Sequence, residues 1–459
     1  MKKVQRRALS VLLIILCLMG GVGYFTFRFF HEGEKWINFT ANKHIYSGGM
    51  VIGGAIYDRD GNPLLHTVDG VRKYSENESV RCATMHIVGD KKSNIATSLQ
   101  KVYANEMVSY NIVNGTYSVG GMGNNIYTTL DPDACAKAYE MLKGKKGAVC
   151  AMNYKTGEVL CLVSTPTYDP ENPPKIESGD DAYEGVYINR ALSSRFPPGS
   201  VYKTVTAGAA LEIIPDIDEQ VFDCQHTFVT NGQKVVCSGT HGEQSFQMAL
   251  RNSCNVAFGQ ISMQIGWDAT TAYAQKVGIS TAHELSGIKT VKGTVASSGG
   301  SNELAWLGIG QNTDEVNPYA MMRYMGIVAN GGVCQEPYLV EDITTSAGLK
   351  TGFARTRKSQ RILSEETASR LTEMMRFTVS NAYGDKNFPE GMQVCAKTGT
   401  AELDGKKKSH AWFVGFSGNE QYPYAFAVVV QNGGSGYSVA RPIASEVLGA
   451  LKEKADKAN

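Results

Sequence analysis

Apolar and polar positions divide the chain into stretches of different period. Residues 8–27 form an uncharged run of 20, preceded by Lys2, Lys3, Arg6 and Arg7. At about 1.5 Å per residue a helix of that length spans roughly 30 Å, the depth of a bilayer core. Basic residues ahead of the run set its leading end on the cytoplasmic side and the remainder outside. Gly21 and Gly23 also suit the small-residue site of a cleaved leader. The apolar continuation through Phe27 favours a retained anchor.

Beyond the anchor, residues 31–140 mix short strand-like pieces with polar turns. The pattern predicts a strand over 51–57 running into a turn at 58–62, a helix over 94–110 and a strand over 126–130. From residue 147 the runs lengthen. Strands are expected at 147–153 and 158–164, joined by a turn at 154–157. Three more follow at 391–400, 410–416 and 424–431. The chain between the two strand groups is mostly helical, including 202–213, 246–265 and 364–377. Two early strands, a helical middle and three late strands predict an α+β domain with one five-stranded antiparallel sheet flanked by helices. The organisation expected is a cytoplasmic tail (1–7), a transmembrane anchor (8–30), a small mixed pedestal (31–140) and a main domain (141–459).

Composition narrows the function. The chain has 459 residues, is 42% hydrophobic and carries 45 Lys+Arg against 44 Asp+Glu, for a net charge of +1. A disordered chain is excluded, and a nucleic-acid binder would need a basic excess. Ten cysteines include no CxxC pair, so no zinc site is signalled. Cys224 and Cys237 flank a turn-rich stretch and are the best disulfide candidates. His241, His283 and His410 are scattered without ligand spacing, and no metal or organic cofactor is expected.

The most unusual segment is Arg195-Phe-Pro-Pro-Gly-Ser200-Val-Tyr-Lys203. Pro197, Pro198 and Gly199 stop regular structure, and a helix apolar nearly all round follows. Ser200 and Lys203 are three apart and share one face of its first turn. A lysine in a dry site loses its proton more easily and can then activate a serine hydroxyl. An N-capping serine beside a lysine with a buried stem is the structural alternative. Ser253-Cys254-Asn255 falls at a break between two apolar-patterned segments, where a hydroxyl and an amide can face one cleft. Lys-Thr-Gly occurs three times, beginning at Lys155, Lys350 and Lys397. The first falls in a hairpin turn and the second in a polar loop. Only the third, Lys397-Thr398-Gly399 followed by Thr400, ends a strand pattern. There a glycine permits close backbone approach and a lysine meets a carboxylate.

In this order and spacing Ser200-x-x-Lys203, Ser253-x-Asn255 and Lys397-Thr398-Gly399 resemble the three motifs of penicillin-binding transpeptidases. The resemblance covers roughly residues 147–451 and includes segments 308–311, 327–332 and 410–415, expected around the cleft. The anchor and the 53–62 stretch further resemble class B penicillin-binding proteins. About 100 residues before the main domain are too few for a glycosyltransferase, and no ExxLN glutamate motif of class A β-lactamases is found.

The resemblance implies a peptidoglycan D,D-transpeptidase acting on stem peptides that end in D-Ala-D-Ala. Ser200 would be the nucleophile, Lys203 its base, Ser253 a proton relay and Asn255 an orienting amide. The backbone N–H groups of Ser200 and Thr400 would hold the oxyanion. Lys397, Thr398 and Thr400 would hold the substrate carboxylate, with Gly399 admitting the substrate backbone. β-Lactam antibiotics would acylate Ser200, and a polytopic membrane glycan polymerase would be the partner. The resemblance places the catalytic domain outside a cell membrane crossed once. Alternatives are a D,D-carboxypeptidase or β-lactamase of the same fold, or a non-catalytic β-lactam sensor or scaffold.

Overall fold

The computed structural model describes residues 2–37, 46–47, 50–51, 53–69, 71–108, 123–311, 313–402 and 408–458. Helix α1 (Lys2–Ile37) contains the uncharged run, and none of its apolar window is buried against the rest of the protein. Among the described residues it is the one helix long and apolar enough to cross a membrane.

The region after α1 opens on β1 (Ile56–Tyr57), β2 (Pro63–Val68) and β3 (Val71–Tyr74). The expected strand over 51–57 is interrupted at Gly53 and Gly54. A Cβ on Gly54 would lie 1.7 Å from the Asn124 carbonyl oxygen, and one on Gly53 2.2 Å from that of Met107. The carbonyls of Gly53 and Gly54 themselves accept from the buried Arg72 guanidinium. The expected turn forms, with the Asp58 carboxylate accepting from the N–H groups of Asp60 and Asn62. The helix expected over 94–110 is two short pieces, Leu99–Val102 and Ala104–Met107, broken at the non-helical Tyr103. Residues 109 and 110 lie outside the described residues.

Next come β4 (Asn124–Thr128), α2 (Pro132–Leu142) and the hairpin of β5 (Gly147–Asn153) with β6 (Val159–Thr165). The hairpin turn is set by Asn153, whose side chain accepts from the N–H groups of Lys155 and Thr156, and by Gly157 at φ +89°. The helical middle includes α3 (Lys203–Ile213), α4 (Phe246–Arg251), α5 (Asn255–Ile265) and α6 (Pro318–Ala329). Then β7 (Val340–Thr345) and β8 (Lys350–Phe353) precede α7 (Glu365–Thr378). The chain closes with β9 (Val394–Ala401), β10 (His410–Ser417), β11 (Tyr424–Val430) and α8 (Arg441–Ala458).

The five-stranded antiparallel sheet that the sequence predicts is present, and its strands run in the order β9-β10-β11-β5-β6. Every residue of β6, β10 and β11 is buried, which requires both faces to be covered. Helix α6 packs on β11, β5 and β10, α7 on β9, and α2 and α8 pack on each other and on the sheet. A second sheet has the order β8-β7-β4-β1-β2-β3. Its first two strands come from far along the chain. Lys350-Thr351-Gly352 therefore lies in an edge strand paired with β7, not in the polar loop expected.

Candidate active site

Ser200 sits in a single 3₁₀ turn, Gly199–Val201, which leads directly into α3. The turn is pinned from three sides. The Trp412 indole donates to the Pro197 carbonyl at 2.9 Å, and the Gly199 N–H donates to Gly310 O at 2.8 Å. Gly199 has φ +54°, and a Cβ there would meet the Ala401 Cα and Thr400 O at 2.9 Å. Only glycine fits, and the serine is thereby held against the exposed edge of β9. Gly399 serves the same contact from the other side. Its Cβ direction is filled by Pro198 O at 2.8 Å and Val201 Cγ1 at 2.9 Å.

Lys203 and Lys397 are both fully buried. The Lys203 Nζ lies 3.0 Å from Ser200 Oγ, 2.7 Å from Ser253 O, 2.7 Å from Asn255 Oδ1 and 3.2 Å from Ser253 Oγ. A neutral amine has two N–H donors and one lone pair. The carbonyl of Ser253 and the amide oxygen of Asn255 can only accept, so they take both donors. The lone pair is left for a hydroxyl, with Ser200 the nearer. Burial drives the Lys203 pKa well below its ordinary value, and the charge of Lys397 lowers it further. Burial alone pulls Lys397 down to about 7. Ser253 Oγ stands between the two lysines, 3.0 Å from Lys397 Nζ. Cys254 N-caps α5, and the break expected between helices is the turn that presents Ser253 and Asn255. Ser253 has φ +53°, a left-handed conformation that costs a non-glycine residue roughly 1–2 kcal/mol.

The structure brings Ser200, Lys203, Ser253, Asn255 and Lys397 into one hydrogen-bonded cluster. Ser200 and Asn255 open onto a cavity of ≈ 270 Å³ also lined by Trp306, Gln311, Thr400 and Glu402. Thr400 is exposed and Thr398 half-buried. The Thr398 Oγ1 is 2.9 Å from the Tyr383 hydroxyl, which also accepts from the Thr398 N–H at 3.0 Å. Tyr383 is a neighbour the sequence does not signal, because it comes from the irregular end of α7. Of the segments expected around the cleft, 308–311 contributes Ile309 and Gln311 to the lining. Residues 327–332 do not line it; they end α6 in a turn against Leu363. Lys155 and Lys350 are on the surface, paired with Glu420 and Asp342. Cys224 and Cys237 are free thiols, so the disulfide considered between them is not formed.

The family model for the penicillin-binding protein transpeptidase domain matches residues 147–449, and the chain belongs to that family. It is a class B penicillin-binding protein by its relatives as well. It is 27% identical over 360 residues to the peptidoglycan D,D-transpeptidase PbpA of Mycolicibacterium smegmatis, covering 72% of this chain and 73% of that one. Its identity to the PbpA of Mycobacterium tuberculosis is 29% over 356 residues, covering 71% and 72%. The penicillin G acyl-enzyme complex of penicillin-binding protein A from M. tuberculosis superposes with a TM-score of 0.75 at 27% identity. That match covers 87% of this chain and 99% of the other.

Proposed function

We propose that the protein is a peptidoglycan D,D-transpeptidase that cross-links stem peptides through an acyl-enzyme on Ser200. The observation that carries this reading is the buried Lys203 amine 3.0 Å from Ser200 Oγ, with its other neighbours all acceptors or hydroxyls. Ser200 Oγ attacks the carbonyl carbon of the penultimate D-Ala as Lys203 takes the hydroxyl proton. The oxyanion is held by the N–H groups of Ser200 and Thr400, each typically worth about 3 kcal/mol. The C–N bond then breaks, and Ser253 passes the proton to the leaving D-Ala. An amine of a second stem peptide attacks the ester, releasing Ser200 and forming the cross-link. Lys397, Thr398 and Thr400 hold the terminal carboxylate, and Asn255 orients Lys203 and the donor peptide. Penicillins take the same path to a persistent ester.

Helix α1 is the single-pass membrane anchor, with the Lys2–Arg7 end cytoplasmic and the catalytic domain outside. Residues 31–140 form the pedestal and residues 141–459 the transpeptidase domain, which lends β7 and β8 to the pedestal's sheet. A polytopic glycan polymerase in the same membrane supplies the strands to be cross-linked. Incubating the purified protein with a D-Ala-D-Ala stem peptide and an acceptor amine tests the reading. Release of D-Ala with amine-linked product supports it; release of D-Ala with hydrolysed peptide alone makes the protein a carboxypeptidase.

A further inference from the structure

The turn that carries Ser253 and Asn255 is also one corner of a second constellation. Cys224, Cys237, His241 and Cys254 place their Sγ and ring nitrogen atoms all within 4.8 Å of one another, the one such group among the described residues. In sequence they are separated by 12, 3 and 12 residues, a spacing that lacks a CxxC pair and so gave no signal. The fold assembles them. Cys224 ends a strand, Val221–Cys224, that pairs with Gly242–Ser245. Between them a hairpin of Thr227–Thr230 with Gln233–Val236 delivers Cys237 at its exit. His241 follows, its N–H bonded to Cys224 O at 3.1 Å. Cys254 caps α5 and contributes the fourth atom.

The separations decide what the group is built for. Tetrahedral zinc with Zn–S of about 2.3 Å and Zn–N of about 2.0–2.1 Å puts neighbouring sulfurs about 3.8 Å apart and sulfur and nitrogen about 3.6 Å apart. Cys237 Sγ lies 3.9 Å from Cys254 Sγ and 3.6 Å from His241 Nδ1. A disulfide would need sulfurs at about 2.05 Å. The three cysteines are buried, at 0%, 3% and 0% exposure, while His241 is half-buried and Cys237 also borders the Ser200 cavity. Backbone N–H groups are aimed at two of the sulfurs, Asn255 at Cys237 (3.3 Å) and Ala257 at Cys254 (3.4 Å). Outer-shell donors of this kind orient thiolate ligands and stabilise their charge.

We propose that Cys224, Cys237, His241 and Cys254 bind one zinc ion that clamps the Ser253–Asn255 turn in its catalytic position. The clamp acts where it is needed. Cys254 lies between the two catalytic side chains, and the preceding Ser253 holds a left-handed backbone conformation that a free turn would abandon. The Asn255 N–H is fixed on Cys237 while its side-chain oxygen meets Lys203. These residues are positioning residues; none touches the substrate carbonyl.

The full-length protein, purified in detergent without chelator, should contain about one zinc per chain by elemental mass spectrometry. Cobalt exchanged into it should give thiolate charge-transfer absorption and tetrahedral d–d bands. His241→Ala and Cys224→Ser should lose the stoichiometric metal. Stripping zinc from the native protein should slow labelling by a fluorescent penicillin about 10- to 100-fold, and returning zinc should restore it. Rescue by zinc separates a clamp from a general loss of fold. Metal content is read without any β-lactam, so its outcome is independent of the transpeptidase reading. If both variants misfold, the native protein's metal content decides alone. A native protein that holds no zinc and takes none up, or one with a Cys237–Cys254 disulfide after unreduced digestion, overturns the site. Full-rate labelling by the zinc-free protein overturns the clamp.

Discussion

At the scale of single residues the account rests on the protonation of two buried lysines. Lys203→Arg keeps the charge and approximate size but cannot accept a proton at any usable pH. Penicillin labelling should fall by about 10² to 10⁴, the usual loss on removing a general base, while a thermal melt shows a folded protein. Normal labelling of a well-folded Lys203→Arg variant would show that Lys203 is merely structural. The pH profile of acylation should have two limbs. Rate rises with pH as Lys203 gives up its proton and falls as Lys397, at about 7, loses the charge that meets a carboxylate. Lys397→Ala should remove the alkaline limb together with most of the rate. Stability follows the same lysine in the opposite sense. Its folded pKa lies below its unfolded value, so the unfolded chain binds more protons between about pH 7 and about 10.5. Over that window this group adds stability as pH rises. The residues of this cluster were legible in the sequence because their chemistry is local, Ser200 and Lys203 three apart and Ser253 and Asn255 two apart. Tyr383 and the cysteine–histidine group were not, since only tertiary packing brings them to the site.

At the scale of elements, three identical tripeptides are told apart by where the fold puts them, in a hairpin turn, an edge strand of the second sheet and β9. Lys397→Ala should cripple acylation, whereas Lys155→Ala and Lys350→Ala should leave the labelling rate nearly unchanged. Both of the latter are exposed ion-paired lysines. A damaging Lys350→Ala would mean that the wrong strand has been assigned to the site. Of the three, only Lys397-Thr398-Gly399 lies in a strand of the main sheet, and that strand begins at Val394 rather than at residue 391 as expected. Gly199→Ala probes the turn before α3. Its φ of +54° and its contact with the backbone of β9 predict a loss of about 1–2 kcal/mol or more, with slower labelling. An unchanged melt and an unchanged rate would show that the turn relaxes freely. Strands β5, β6, β10 and β11 were readable because each is a near-continuous apolar run, whereas β9 turns polar from Lys397 onward. The break at Gly53 and Gly54 was not, because its cause is a neighbouring carbonyl rather than a local preference.

At the scale of the whole molecule the chain closes its main sheet from both ends, and the sequence order of strands and helices was enough to foresee it. The second sheet was harder. Strand β7 joins β4 from about 200 residues away and carries β8 on its other side, and their short, polar, half-exposed pattern carries no mark of the partner. The anchor makes its own prediction. Full-length protein should stay with membranes through carbonate extraction, while a chain beginning at residue 38 should be soluble and still bind penicillin. Release of the full-length protein by carbonate, or a mature terminus near Tyr24, would contradict a retained anchor. The central claim is that Ser200 is the acylated nucleophile. Intact-mass spectrometry after benzylpenicillin, with peptide mapping of the adduct, tests it most directly. The expected result is one intact penicillin per chain, on the peptide containing Ser200, and none on a folded Ser200→Ala protein. An adduct on another residue, or persistent labelling of Ser200→Ala, would contradict it.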